Sequence, residues 1–152
     1  MLWKLRLAAG LALALGLLVP QAALGAGAGS FGPTGSMGAA RYAAVAAPLK
    51  DGRVLVAGGY YDDGGGDHYL ASAEVFNPAT NAFTPVGDMG IARVRSAAAP
   101  LPDGRVLVAG GNDGATRLSS AEVFNPATNV FTPVADMETD RARAAAAPLP
   151  GG

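Results

Sequence analysis

The sequence predicts an all-β protein made of consecutive four-stranded sheets, and three observations carry that prediction. The run Asp51-Gly52-Arg53-Val54-Leu55-Val56-Ala57-Gly58-Gly59 returns 52 positions later as Asp103-Gly104-Arg105-Val106-Leu107-Val108-Ala109-Gly110-Gly111. Ala73-Glu74-Val75-Phe76-Asn77-Pro78-Ala79-Thr80-Asn81 returns 48 positions later, from Ala121 to Asn129. Met37, Met89 and Met137 are each followed four residues on by an arginine: Arg41, Arg93 and Arg141. One unit is therefore 48 residues long, and its first copy carries four extra residues between Gly59 and Ser72. Self-similarity at such a period marks a repeat architecture and is read before any single-residue motif.

Each unit divides into four short runs of strand length separated by turn residues. The first is alanine-rich, from Ala43 to Pro48 and again from Ser96 to Pro100. Asp51-Gly52 and Asp103-Gly104 then supply a strong hairpin signal. The second run, Arg53 to Ala57, is apolar without alternation, as expected of a strand covered on both faces. Its glycine pair lets the backbone turn where a Cβ would clash. The third, Ser72 to Phe76, is closed by Asn77-Pro78-Ala79-Thr80-Asn81, and the fourth, Ala82 to Val86, places Phe83 where its twin has Phe131. Four antiparallel strands per repeat make one propeller blade. Crowding near a propeller axis favours alanine in the first strand. The widening wedge further out suits Val75, Phe76 and Phe83.

Paired glycines after an aliphatic strand, then an aromatic ahead of Asn-Pro, then a second aromatic, give the chain its resemblance to kelch repeats. The residues are Gly58-Gly59, Phe76-Asn77-Pro78 and Phe83, then Gly110-Gly111, Phe124-Asn125-Pro126 and Phe131. The family commonly has tyrosine and tryptophan at the two aromatic positions. Phenylalanine here keeps the packing body and drops the polar handle. The resemblance covers the chain after Ala28 and implies an incomplete kelch-type β-propeller. Two full blades, 41–88 and 93–136, are expected, with a stray strand at each end, 30–35 and 141–148. Ser30 to Met37 aligns with Ala82 to Met89, a fourth strand without its first three, and Arg141 to Pro150 supplies a first strand. Propellers need roughly four to eight blades. Two expectations follow: a piece of a longer propeller, or a short chain that self-associates through its open blade faces.

Met1 to Ala28 has the form of a secretory signal. Lys4 and Arg6 precede a thirteen-residue apolar core, Leu7 to Val19, and the small residues Ala22 to Ala28 follow. The core is short of the roughly 18–20 apolar residues of a membrane span. A secreted, periplasmic or cell-surface protein with no stable membrane span after cleavage is therefore expected. Without Lys4 and Arg6 the chain carries nine basic and twelve acidic residues, a charge of about −3. The basic residues are scattered, which argues against a nucleic-acid surface. There is no cysteine, hence no disulfide, thiolate chemistry or cysteine-ligated metal.

Residues present in every repeat are most economically structural. Arg41/Arg93/Arg141, Arg53/Arg105, Glu74/Glu122 and Asp88/Asp136 are thus expected to make blade-to-blade ion pairs and turn contacts. The single-copy feature is the longer loop after Gly59, which holds three of the four tyrosines, three carboxylates and the only histidine. Tyr60, Tyr61, Asp62, Asp63, Asp67, His68 and Tyr69 are the candidate ligand-binding residues, suited to stack on a sugar or grip a peptide. The bland alternative is a flexible solvated loop. Asp62, Asp63, Asp67 and His68 lack the alternating ligands and closing glutamate of a calcium loop, so no metal or cofactor is assigned. The resemblance extends to the central domain of galactose oxidase, whose copper radical chemistry needs a cysteine-linked tyrosine and two histidines. This chain has neither, and it shows no nucleophile-elbow motif. The expected function is a binding or scaffolding module for a glycan or protein ligand, with no catalysis in this chain. The alternative is a fragment of a galactose-oxidase-like carbohydrate oxidase whose catalytic residues lie outside it.

Overall fold

The computed structural model describes residues 32–148, so the expected signal segment at 1–28 lies outside the described residues. The chain divides into two units, Met1–Gly32 and Pro33–Gly152, and everything below concerns the second. Its first sheet has the order β1-β2-β5-β6, with β1 Val45–Pro48, β2 Val54–Ala57, β5 Ala73–Asn77 and β6 Ala82–Pro85. The second repeats it with β7 Ala97–Pro100, β8 Val106–Ala109, β9 Ala121–Asn125 and β10 Val130–Val134. All neighbours are antiparallel, and the registers are equivalent: Leu55 faces Val75 as Leu107 faces Val123, and Phe76 faces Phe83 as Phe124 faces Phe131. These are the two blades that the repeat predicts, each strand within about two residues of its expected bounds.

The turns follow from local chemistry. Asp51 Oδ1 accepts from the Arg53 amide at 3.1 Å and Oδ2 from Arg53 Nε at 2.8 Å, while Gly52 takes the left-handed region at φ 86°. Asp103, Gly104 and Arg105 repeat the arrangement. Asn77 and Asn125 accept from the amide two residues on, and Asn81 and Asn129 close the turns at positive φ. Asparagine tolerates that backbone better than most side chains.

Packing between the blades corrects one expectation. In β2, Leu55 and Ala57 are buried while Val54 and Val56 are half-buried; in β8 the phase is opposite, with Val106 and Val108 buried. The Leu55 side of blade one, together with Ala47, Ala57 and Val75, forms one core with Val106, Val108, Phe124 and Phe131 of blade two. Each of these strands is thus deeply covered on one side, and opposite sides of the repeat meet. Consequently Phe124 is fully buried, whereas its twin Phe76 is half-buried.

The repeated arginines behave differently from the expected blade-to-blade pairs. Arg93 is fully buried and holds Glu122 of its own repeat at 3.0 Å, as Arg41 holds Glu74. Each guanidinium also bonds two backbone carbonyls, Gly110 and Ser120 for Arg93, Gly58 and Ser72 for Arg41. The linker folds back over the blade that it introduces, so its side chain pairs within the repeat. Blades are joined instead by backbone: Gly59 N–H donates to the Arg93 carbonyl at 2.8 Å. Only glycine fits there, because a Cβ on Gly59 would meet the Tyr42 carbonyl at 2.9 Å.

The flanking segments take the places of repeat strands without their ladders. Gly35 donates to the Asn81 carbonyl as Gly87 donates to Asn129, and Arg143 donates to Arg95 as Arg95 donates to Ala43. Among the described residues, 32–35 and 141–148 carry no strand assignment. A strand needs a paired neighbour, and neither segment has one in the described sheets. No helix among the described residues is long and apolar enough to cross a membrane.

Candidate functional site

The single-copy insertion folds as a hairpin rather than a loop. Strand β3, Tyr60–Asp62, pairs with β4, Asp67–Tyr69, in the register Tyr60 with Tyr69, Tyr61 with His68 and Asp62 with Asp67. Alternation sorts these side chains onto two faces. On one, the Tyr60 and Tyr69 rings stack with centroids 5.9 Å apart, and Tyr42 meets Tyr60 edge-on at 5.3 Å. On the other, Tyr61 and His68 stack at 4.7 Å, and His68 Nε2 lies 3.0 Å from Asp63 Oδ2. Cross-strand aromatic pairs of this kind stabilise a short hairpin.

The carboxylates are occupied locally. Asp62 accepts from the Gly64 amide at 2.8 Å, Asp63 from the Gly65 amide at 2.9 Å, and Asp67 from the Tyr69 hydroxyl at 3.3 Å. The Gly65 amide, helped by His68, outweighs desolvation and holds the Asp63 carboxyl below its ordinary range. Burial, then the Asp67 charge, pushes the Tyr69 hydroxyl up. Among the described residues no three histidine or carboxylate side chains converge on a metal-sized site.

Blade two has a shorter turn at the same place, from Asn112 to Arg117, where Asn112 Oδ1 accepts from Gly114 and Asp113 from Ala115 and Thr116. The two turns touch. A Cβ on Gly114 would sit 2.6 Å from the Tyr69 ring, so glycine lets the hairpin rest on the next blade. Beyond that contact, Arg95, Arg117 and Arg143 line a cavity of about 240 Å³ together with Asn112 and Ala142. All three arginines are exposed.

The kelch motif model matches residues 41–90 and 93–138. The chain belongs to the kelch family. Its two matched segments cover both kelch blades and, in the first, the whole hairpin. Among solved structures, the kelch blades resemble a fungal alcohol oxidase of the AA5 family in complex with copper, at 22% identity and a TM-score of 0.56. That match covers 66% of this chain and 23% of the oxidase, so the likeness is one of fold. A comparison with curated proteins finds no match.

All seven residues expected at the site, Tyr60, Tyr61, Asp62, Asp63, Asp67, His68 and Tyr69, fall in or beside the hairpin, on its two faces and its turn. The arginine cavity was not among the expected features. Its sequence signal is a position two residues after the repeated arginine, which reads Ala43, Arg95 and Arg143 in successive repeats. A side chain that varies where the backbone repeats is freed from the fold's own needs.

Proposed function

We propose that this chain is an exported kelch binding module without catalysis of its own, taking a glycan or protein ligand on the face that carries the β3–β4 hairpin. One observation carries this reading. The insertion belongs to one blade only, and its stacked rings and its seat on Gly114 make it a built surface. Aromatic faces beside hydroxyl and carboxylate groups suit the mixed apolar and polar surface of a sugar. A glycan array probed with the full chain tests the reading, with Tyr61→Ala and His68→Ala as variants. Binding that both variants weaken supports it. Binding to neither glycans nor protein ligands, or hydrogen peroxide released from sugars, would replace it.

Self-association is a second part of this proposal, and the opposite burial phases of β2 and β8 support it. The Leu107 side of blade two, where Leu107 itself is half-buried, is equivalent to the Leu55 side by which blade one holds blade two. Ala99, Pro100, Leu101 and Leu107 there line an apolar groove of about 540 Å³ with Ala146, Ala147 and Pro148. A second copy would repeat the internal contact head to tail. Sedimentation of the parent and a Leu107→Glu variant tests this: a parent that stays monomeric at high concentration contradicts it. Export is tested by sequencing the N-terminus of the mature protein, which should begin near Ala26 or Gly29.

A further inference from the structure

We propose that the cavity between Arg95, Arg117 and Arg143 is an anion subsite that holds the carboxylate of an acidic saccharide, a uronic-acid residue whose chain continues onto the tyrosine face of the hairpin. This rests on the binding reading above and adds the chemical class of ligand.

Three segments bring the arginines together: the linker before β7, the short turn after β8 and the segment after β10. The backbone that positions two of them is repeat-wide. Ala43, Arg95 and Arg143 share a left-handed φ of 53°, 56° and 61°, and the amides of Arg95 and Arg143 donate to the carbonyls of Ala43 and Arg95. Alanine satisfies the fold at the first of these positions, so the fold itself does not require the guanidinium groups.

The pairing of charges points the same way. Arg41, Arg53, Arg93 and Arg105 each hold a carboxylate. None of the ion pairs among the described residues includes Arg95, Arg117 or Arg143. Three like charges around one small cavity repel one another, in a chain whose remaining charge is acidic. An anion in the cavity relieves that repulsion. The guanidinium fork matches a planar carboxylate in two parallel hydrogen bonds, and Asn112 adds a neutral donor or acceptor beside it.

The adjoining surface favours a saccharide over an acidic peptide. Tyr69 rests on Gly114 within the turn that supplies Asn112 and Arg117, and the rings of Tyr60 and Tyr42 continue from it. A uronate can use guanidinium groups and ring faces together, whereas an acidic side chain on a peptide uses the arginines alone.

The test is calorimetric titration of the full chain with oligogalacturonate, its fully methyl-esterified form and polyglutamate, repeated for Arg117→Gln, Tyr42→Ala and Tyr61→Ala. Oligogalacturonate should bind, methyl esterification should weaken it at least tenfold, and Arg117→Gln should weaken it about ten- to hundredfold. Unliganded Arg117→Gln should melt at or above the parent temperature, which separates a lost contact from a lost fold. Equal binding of the acid and the ester, unmoved by Arg117→Gln but weakened by Tyr61→Ala, overturns the anion subsite and leaves the hairpin reading standing. Acid-selective binding that Arg117→Gln abolishes and Tyr42→Ala does not change keeps the subsite and overturns the extension onto the tyrosine face. Tighter binding of polyglutamate overturns the choice of saccharide, and no binding of any anion overturns the subsite.

Discussion

The interaction most open to quantitative attack is the buried pair of Arg93 and Glu122. Arg93 Nη2 donates to Glu122 Oε1 and to Ser120 Oγ, Nη1 donates to the carbonyls of Gly110 and Ser120, and the Gly90 amide donates to Glu122 Oε2. In Glu122→Gln a guanidinium with no exposed surface keeps its charge and loses its counter-charge, which should cost about 3–5 kcal/mol. Arg93→Met strands the carboxylate instead, at a similar cost. Charge is balanced again in Arg93→Met/Glu122→Gln, where the glutamine can still accept from Gly90. The Ser120 carbonyl retains the Gly110 amide, but the Gly110 carbonyl loses its guanidinium donor. The double variant should therefore remain about 1–3 kcal/mol below the parent, the cost of one orphaned buried acceptor. Urea denaturation of all four proteins measures this, and the coupling energy should reach several kcal/mol. Additive losses would show that the pair does not act as a unit. A double variant as stable as the parent would show that the carbonyl contacts contribute nothing, and the account of the linker would fail.

Three further outcomes are expected. Phe124→Ala should cost about 3–5 kcal/mol, and Phe76→Ala less, because only the blade-two ring is fully buried; equal losses by denaturant titration would contradict the opposed packing faces. Gly58→Ala should destabilise the contact between blades, since Gly58 has φ 66° and its added Cβ would collide with the Arg93 carbonyl; a melting temperature unchanged from the parent would refute this. Burial pushes the Glu74 carboxyl up, but the Gly38 amide and Arg41 outweigh it and hold the group below its ordinary 4.5. A depressed folded-state value means that Glu74's contribution is full above about pH 4.5 and is lost as pH falls through the lower folded value. Thermal melts between pH 7 and pH 2 should show that loss, and Glu74→Gln, less stable at pH 7, should show a shallower acid slope.

The blades were legible because their signals are local and occur twice. Asp51-Gly52 and Asp103-Gly104 fix hairpins through their own side chains, and the apolar runs between them have strand length. What β2 packs against was not legible. Val54-Leu55-Val56-Ala57 is identical to Val106-Leu107-Val108-Ala109, yet the two strands bury opposite sides. The difference lies in which neighbour each blade has, and no residue within the run encodes it. The hairpin was missed for a different reason. Asp62-Asp63-Gly64-Gly65-Gly66 has loop composition, and the pairing depends on Tyr60 with Tyr69 and Tyr61 with His68, partners read only once the register is known. The arginine partners were misassigned because sequence spacing does not reveal that the linker folds back over its own blade.

Repetition gives the fold a way to separate what holds a blade from what it presents. Arg41 and Arg93 sit in nearly identical buried nests, each with a glutamate and two carbonyls, and any other side chain there would strand those groups. Two residues later the same backbone turns outward at Ala43 and Arg95, and no buried group depends on the choice. A side chain at that second position can change from blade to blade without disturbing the nest beside it. The loop after the glycine pair has the same freedom, being ten residues long from Tyr60 to Tyr69 and six from Asn112 to Arg117. Both variable positions lie on the same side of the blades, where Tyr42 pairs with Tyr60 and Val94 with Asn112. The side chains that differ between repeats are therefore concentrated where variation costs the fold least.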